Sequence, residues 1–255
     1  MTGSAPHFQA FQGEVARRLA DITDDASAGG LDEAVRLLTD CVAAGGVVHA
    51  FGTGHSEAFA MEMAGRAGGL IPTNKIALRD AVLVGSHELR ELFGEPPLER
   101  DPDIAADLFA TVEREEHDVF VIASNSGVNG SIVGLALLAK EHGHPVIAVT
   151  SLLHTAAVPA LHPSGLRLSE VADVVLDNRA PLGDATLDSI GDVTVGAVSS
   201  ITSAYLAQLL TIATTAALTA AGAEAPLYVS ANVPGGHDRN LGFEARYGTR
   251  IRRSA

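Results

Sequence analysis

The chain has 255 residues, 47% of them hydrophobic and 19% charged, which is ample material for one large α/β domain and excludes a disordered chain. A formal net charge of -14 gives it the wrong field for nucleic acid, so no nucleic-acid partner is expected. Cys41 is the only cysteine, which excludes an intrachain disulfide and a cysteine-based metal cluster.

Residues 1–20 carry Glu14, Arg17 and Arg18 and no apolar run, so they do not read as a signal peptide, and a reduced cytoplasm is the expected setting. Residues 8–28 and 31–44 read as helices, with Phe8, Phe11, Val15, Leu19 and Ile22 at helical spacing and Gly29-Gly30 as the break. They are expected to form an N-terminal helical extension, residues 1–44, packed on a core domain of residues 45–255. A strand is expected at 47–51, a helix at 56–67 and a partly strand-like segment at 76–84. Residues 85–103, rich in Pro, Glu and Arg, read as an active-site loop or lid. A helix at 102–116, a strand at 118–123, a helix at 131–142 and strands at 145–150 and 171–176 follow. This alternation predicts βαβ units, that is, an open, mainly parallel sheet flanked by helices on both faces.

The stretch 193–223 holds no charged residue and is long enough to span a bilayer. Its recurrent Ser and Thr, its central Gln208 and its acidic flank (Asp184, Asp188, Asp192) favour a long helix over 193–221, buried in the fold or at an oligomer interface, and no membrane partner. Arg246, Arg250, Arg252 and Arg253 read as a solvated or interface-pairing tail.

Two turns carry the chemistry. After the strand at 47–51 comes Gly52-Thr53-Gly54-His55-Ser56, where glycines permit unusual backbone angles and a following helix start favours an anion. Ser56 also suits a helix N-cap. Glu57 rules out the dinucleotide fingerprint, and the Gly-Lys-Ser/Thr element of a Walker loop is missing. After the strand at 118–123 comes Ser124-Asn125-Ser126-Gly127-Val128-Asn129-Gly130-Ser131, which offers hydroxyl and amide donors without net positive charge. In open parallel sheets, ligands bind at the carboxyl ends of strands, where both turns fall.

The run Ser124-Asn125-Ser126-Gly127-Val128-Asn129, the later Ala139-Lys140-Glu141-His142-Gly143 and the strand ending at Thr150 resemble the core of the SIS (sugar isomerase) domain. Gly52, Gly54 and Ser56 match that family's first turn. The resemblance covers roughly residues 45–178 and implies a flavodoxin-like three-layer sandwich. Within the family the chain is similar to the N-acetylmuramate-6-phosphate etherase and phosphoheptose-isomerase branch. It most resembles the UPF0309 group, whose ending is similar to Asn232-Val233-Pro234-Gly235-Gly236-His237-Asp238. The resemblance implies phosphate contacts at Ser56, Ser124, Ser126 and Ser131. Gly54, Asn125 and Asn129 are further candidates, with Asn129 standing where the family has Thr.

Such enzymes remove a proton next to a sugar carbonyl and then isomerise the sugar or expel a leaving group, which requires a carboxylate or His base. The family's Glu, about ten residues after the turn serine, is replaced by the neighbourhood Gly65-Arg66. Glu62, amid Phe59, Met61 and Met63, is expected to have a raised pKa and act as base. Glu57, His55 and His237 are the other catalytic candidates; His87-Glu88 in the lid and Asp184 are weaker. His142 and His144 read as structural, no cluster has metal spacing, and no cofactor is expected. The favoured expectation is a lyase on a 2-acetamido sugar 6-phosphate such as N-acetylglucosamine 6-phosphate. An aldose–ketose isomerase and a non-catalytic phosphosugar sensor are the alternatives. A homodimer or homotetramer is expected, with His237 acting in a neighbouring subunit.

Overall fold

The computed structural model describes residues 5–187 and 193–252, so Asp188, Asp192 and Arg253 lie outside the described residues. One parallel sheet contains β1 (Val48–Gly52), β2 (Thr73–Ile76), β3 (Val119–Ala123), β4 (Val146–Thr150) and β5 (Val174–Asp177), in spatial order β2-β1-β3-β4-β5. The helices are α1 (Ala5–Ser27), α2 (Asp32–Ala43), α3 (Glu57–Met63), α4 (Asp80–Leu83), α5 (Ile104–Ala110), α6 (Gly130–Glu141), α7 (Leu152–Ala157), α8 (Leu168–Val171), α9 (Ser199–Ala220) and α10 (Gly236–Glu244).

A strand covered on both faces can be apolar throughout, which is why β1, β3 and β4 stand out as short apolar runs. Along β3, Val119, Val121 and Ala123 pack against α1, α2, α3 and α9. Phe120 and Ile122 point the other way, against α4, α5, α6 and α8. β1 divides likewise, with Val48 and Ala50 opposite Phe51. The result is the three-layer arrangement expected. Ile22, Leu38 and Cys41 place α1 and α2 in the same core as the sheet.

Three expectations are corrected. The strand sought at 76–84 ends at Ile76, and Asp80–Leu83 is helical. Its polar residues concealed it: Thr73, Asn74 and Lys75 are buried because each has a partner. Thr73 donates to Leu70 O at 2.7 Å, Asn74 Nδ2 lies 3.3 Å from His49 Nδ1, and Lys75 donates to Glu57 at 3.2 Å.

The long apolar helix starts at Ser199, because β7 (Val195–Ala197) pairs antiparallel with β6 (Ala185–Leu187) just before it. Asp184 sets that start: its Oδ1 accepts from the N–H of Val198 and Ser199 at 3.1 and 2.7 Å, and its Oδ2 from Ser199 Oγ at 2.7 Å. Asp184 is thus a helix cap. By length and composition α9 is apolar enough to cross a membrane. Its Leu206, Ala207 and Leu210 instead pack in the core beside α2 and α3.

The basic tail departs from the expected solvated end at Arg250, where it closes the amino end of the sheet, while Arg246 stays exposed. Phe243 of α10 and Tyr247 pack with Val47 and Ile71, which lie just before β1 and β2. Asp118, fully buried, accepts from the N–H of Val47 at 2.8 Å, the N–H of Glu115 at 2.9 Å, His49 Nε2 at 3.0 Å and the Arg250 guanidinium. Arg250 is therefore an internal counter-ion, only 12% exposed. Arg246 pairs with Glu224 and Arg252 with Asp80, both at 3.6 Å. Burial holds His49 below its ordinary pKa. Burial pushes Asp118 upward, but hydrogen bonds from His49 and the two N–H groups outweigh it and hold the carboxyl below its ordinary range.

Candidate functional site

The strand order reverses between β1 and β3: the chain runs outward from β1 to β2 on one side and from β3 to β5 on the other. The crevice at such a switch point is where open α/β sheets bind ligands. The two turns follow β1 and β3, so they flank that crevice.

The first turn is tight. A Cβ on Gly52 would lie 2.3 Å from Ser56 O, so only glycine fits there. Gly54 has φ +54° and opens a 3-10 turn, Gly54–Ser56. Ser56, expected as an N-cap, makes no capping hydrogen bond to α3 and is half-buried. His55 is exposed. Ser199, Ser200 and Ser203 at the head of α9 form a narrow crevice with His55, Ser56 and Phe59.

In the second turn Ser124 Oγ accepts the Gly127 N–H at 3.1 Å and so shapes the loop. Ser126 and Asn129 are half-buried, and Asn129 makes no side-chain cap on α6. The leading N–H groups of this 12-residue helix therefore border the turn uncapped by a side chain. Two expected phosphate contacts are committed elsewhere. Ser131 is fully buried and donates to Glu99 O at 2.8 Å. The Asn125 amide bridges Asn178 Nδ2 at 3.1 Å and His154 Nδ1 at 3.2 Å.

The catalytic candidates also sort themselves. Glu62 does not have the apolar surroundings expected of it. It pairs with Arg66 and accepts from Gln208 Nε2 at 2.7 Å, turned towards α9. Met61 beside it is 57% exposed, while Phe59 and Met63 face the core. Glu57 accepts from Arg79 at 2.9 Å and Lys75 at 3.2 Å. Burial raises its pKa, but these two cations outweigh burial and hold Glu57 below its ordinary value. His237 is exposed on α10, at the amino end of the sheet, so within one chain it does not reach the turns. His87 is clamped in the loop by Glu91 and by Asp107 at 2.6 Å.

Sequence reasoning missed Glu99. It lies in the 3-10 turn Leu98–Arg100 of the proline-rich loop. Its carbonyl holds Ser131 at the head of α6, and its Oε2 would lie 3.8 Å from a Cβ on Gly54. Glu99 thus stands between the two turns, and among the described residues no cation pairs with its carboxylate. The loop is pressed close: a Cβ on Gly130 would lie 2.3 Å from Arg100 O. That glycine was the one available signal, and it identifies the contact only once the fold is known. A roomier cavity of about 680 Å³ between α5 and α6 is rimmed by Asp103 and Asp107 and is lined by neither turn.

Residues 10–151 match the family model for the SIS domain. A UPF0309 protein of Listeria monocytogenes is 34% identical over 237 residues, covering 92% of this chain and 95% of that protein. One from Brucella anthropi is 36% identical over 220 residues, covering 84% and 86%. Among solved structures, a phosphoheptose isomerase from Francisella tularensis aligns with a TM-score of 0.56 at 17% identity, covering 84% of this chain and 98% of its own. An Escherichia coli CFT073 protein in complex with A5P aligns at 0.52 and 17% identity, covering 83% and 89%. At that identity these two show a shared fold. The chain belongs to the SIS domain family and to the UPF0309 group.

Proposed function

We propose that this protein is an enzyme that holds a sugar phosphate between the two turns and removes a proton next to the sugar carbonyl. The phosphate is bound by the Gly54 backbone, the Ser56, Ser126 and Asn129 side chains and the head of α6, within a loop shaped by Ser124. Neutral donors and dipoles let an acidic chain take an anion. The observation that carries the reading is Glu99, a carboxylate without a cation partner among the described residues, set between the two turns. We assign it as the base. His55, exposed in the first turn, returns or supplies the proton on the other side, and Glu57 is a positioning group held by Arg79 and Lys75.

We favour a lyase outcome on a 2-acetamido sugar 6-phosphate such as N-acetylglucosamine 6-phosphate. Its C2 carries nitrogen and cannot become a ketone. Electrons from the broken C2–H bond enter the carbonyl and return to expel the C3 oxygen, which leaves as water or an alcohol after taking a proton. The support is the resemblance to the etherase branch. A sugar with a C2 hydroxyl would instead be reprotonated at C1, an aldose–ketose isomerisation.

A panel of sugar phosphates in deuterated water tests this. Deuterium at C2 with loss of the C3 group supports elimination, and a ketose product supports isomerisation in its place. Binding without exchange for every sugar leaves a phosphosugar sensor and overturns both enzymes. The proposal includes a second copy of the chain. In a molecule of charge -14, the uncharged α9 leaves Ile201 40% and Ile212 62% exposed. His237 reaches a site only from such a copy. A solution mass of one chain would rule that out.

A further inference from the structure

Beside the second turn runs a hydrogen-bonded chain whose direction is set by a backbone group. The Ala180 N–H donates to Asn178 Oδ1 at 3.0 Å. Asn178 Nδ2 is thereby the opposite end of that amide, and it donates to Asn125 Oδ1 at 3.1 Å and Ser203 Oγ at 3.3 Å. Asn125 Nδ2 then faces His154 Nδ1 at 3.2 Å. An amide nitrogen only donates, so His154 Nδ1 holds a lone pair and the neutral ring carries its proton on Nε2. Turning Asn178 over would set its NH2 against the Ala180 N–H, so neither amide orientation is a free choice.

The chain is rigid and well placed. Asn178 is 2% exposed, just beyond β5. Ser151 Oγ accepts the His154 N–H at 3.0 Å and fixes that residue in the first turn of α7, directly after β4. Ser203, at the far end, also lines the crevice with His55 and Ser56, so the chain joins the surroundings of both turns. Among the described residues no protein group hydrogen-bonds His154 Nε2.

Building on the enolising reading, we infer that His154 is the electrophilic donor of the site. Its Nε2–H hydrogen-bonds the sugar carbonyl oxygen and the enolate oxygen that forms as the base takes the C2 proton. The C–H electron pair moves to that oxygen, the proton goes to the carboxylate, and the imidazole stays neutral. A neutral ring donor of fixed tautomer stabilises developing charge without reorganising during the reaction. Asn125 and Asn178 are positioning residues.

The test uses the intact chain labelled with nitrogen-15 at histidine, first without substrate. The expected spectrum shows His154 with Nδ1 unprotonated and Nε2 protonated. In Asn178→Asp, two carboxylate oxygens force Asn125 to turn over, which presents an oxygen to His154 and moves its proton to Nδ1. With the sugar that exchanges in the native chain, His154→Leu is expected to lose about 100-fold in C2 exchange with KM little changed. His154→Gln, which keeps a donor near Nε2, recovers part of the loss, and Asn178→Asp loses nearly as much as His154→Leu. A native spectrum with Nδ1 protonated, an unmoved tautomer in folded Asn178→Asp, or native exchange in His154→Leu overturns the inference. A native chain that exchanges with no sugar overturns the enolising reading and with it the role of Nε2–H, while the nitrogen spectrum decides the tautomer separately.

Discussion

The two ends of the sheet use similar residue types to opposite effect. At the amino end, Asp118, His49 and Arg250 form a network in which the carboxylate has two N–H donors, an imidazole and a guanidinium. At the carboxyl end, Glu99 lacks a cation partner among the described residues, Ser56 caps nothing, and the head of α6 has no side-chain cap. A buried carboxylate held by four donors is structure, whereas a polar group left with bonding capacity beside a switch-point crevice is a candidate for chemistry.

The contrast breaks most sharply at its two carboxylates. Glu99→Gln is expected to lower C2 exchange by at least about 1,000-fold, about 4 kcal/mol of barrier, with the melting temperature within a few degrees of native. Exchange at the native rate would move the base elsewhere. Asp118→Ala should do the reverse. It leaves Arg250 without its buried partner and costs about 3–5 kcal/mol in urea unfolding. A loss below about 1 kcal/mol would show that the amino-end network is dispensable.

Smaller effects sharpen the same line. Ser126→Ala is expected to weaken sugar-phosphate binding by about 1.5–3 kcal/mol in titration calorimetry, with stability unchanged. Acid should act on the amino end. The folded pKa of His49 is depressed, so its contribution is complete above about pH 6.5 and is lost as pH falls below that value. Asp118 is also depressed, so its share persists to about pH 3.9 and is lost below it. The melting temperature should therefore fall on acidification, and His49→Gln should remove only the upper part of the decline. Glu62→Gln should change least, under about 1 kcal/mol in stability with native turnover, because its partners are Arg66 and Gln208. Loss of turnover in that variant would restore Glu62 as base.

What the sequence made legible follows from how local each signal is. β1, β3 and β4 are apolar runs, and both turns carry their glycines and hydroxyls within a few residues. Partners distant in the chain were not legible. β2 is polar because Glu57, His49 and Leu70 satisfy it, and α9 starts where a cap 15 residues upstream holds it. Glu62 misled because Phe59 and Met63 turn to the core while Met61, between them in sequence, is exposed, so these neighbours do not form one apolar surrounding. Glu99 and His154 sit in segments without periodicity. Glu99 meets the turns through its own carbonyl and a close glycine, and His154 through a chain that begins at Ala180.

The bond between Arg250 and Asp118 also bears on synthesis. The two residues are 132 positions apart, so the sheet can assemble on the ribosome long before the counter-ion at its base exists. Until Arg250 emerges, Asp118 has the N–H groups of Val47 and Glu115 and the His49 imidazole as donors but not the guanidinium. The segment that carries Arg250 thus adds its guanidinium to an amino end that earlier residues have already laid down.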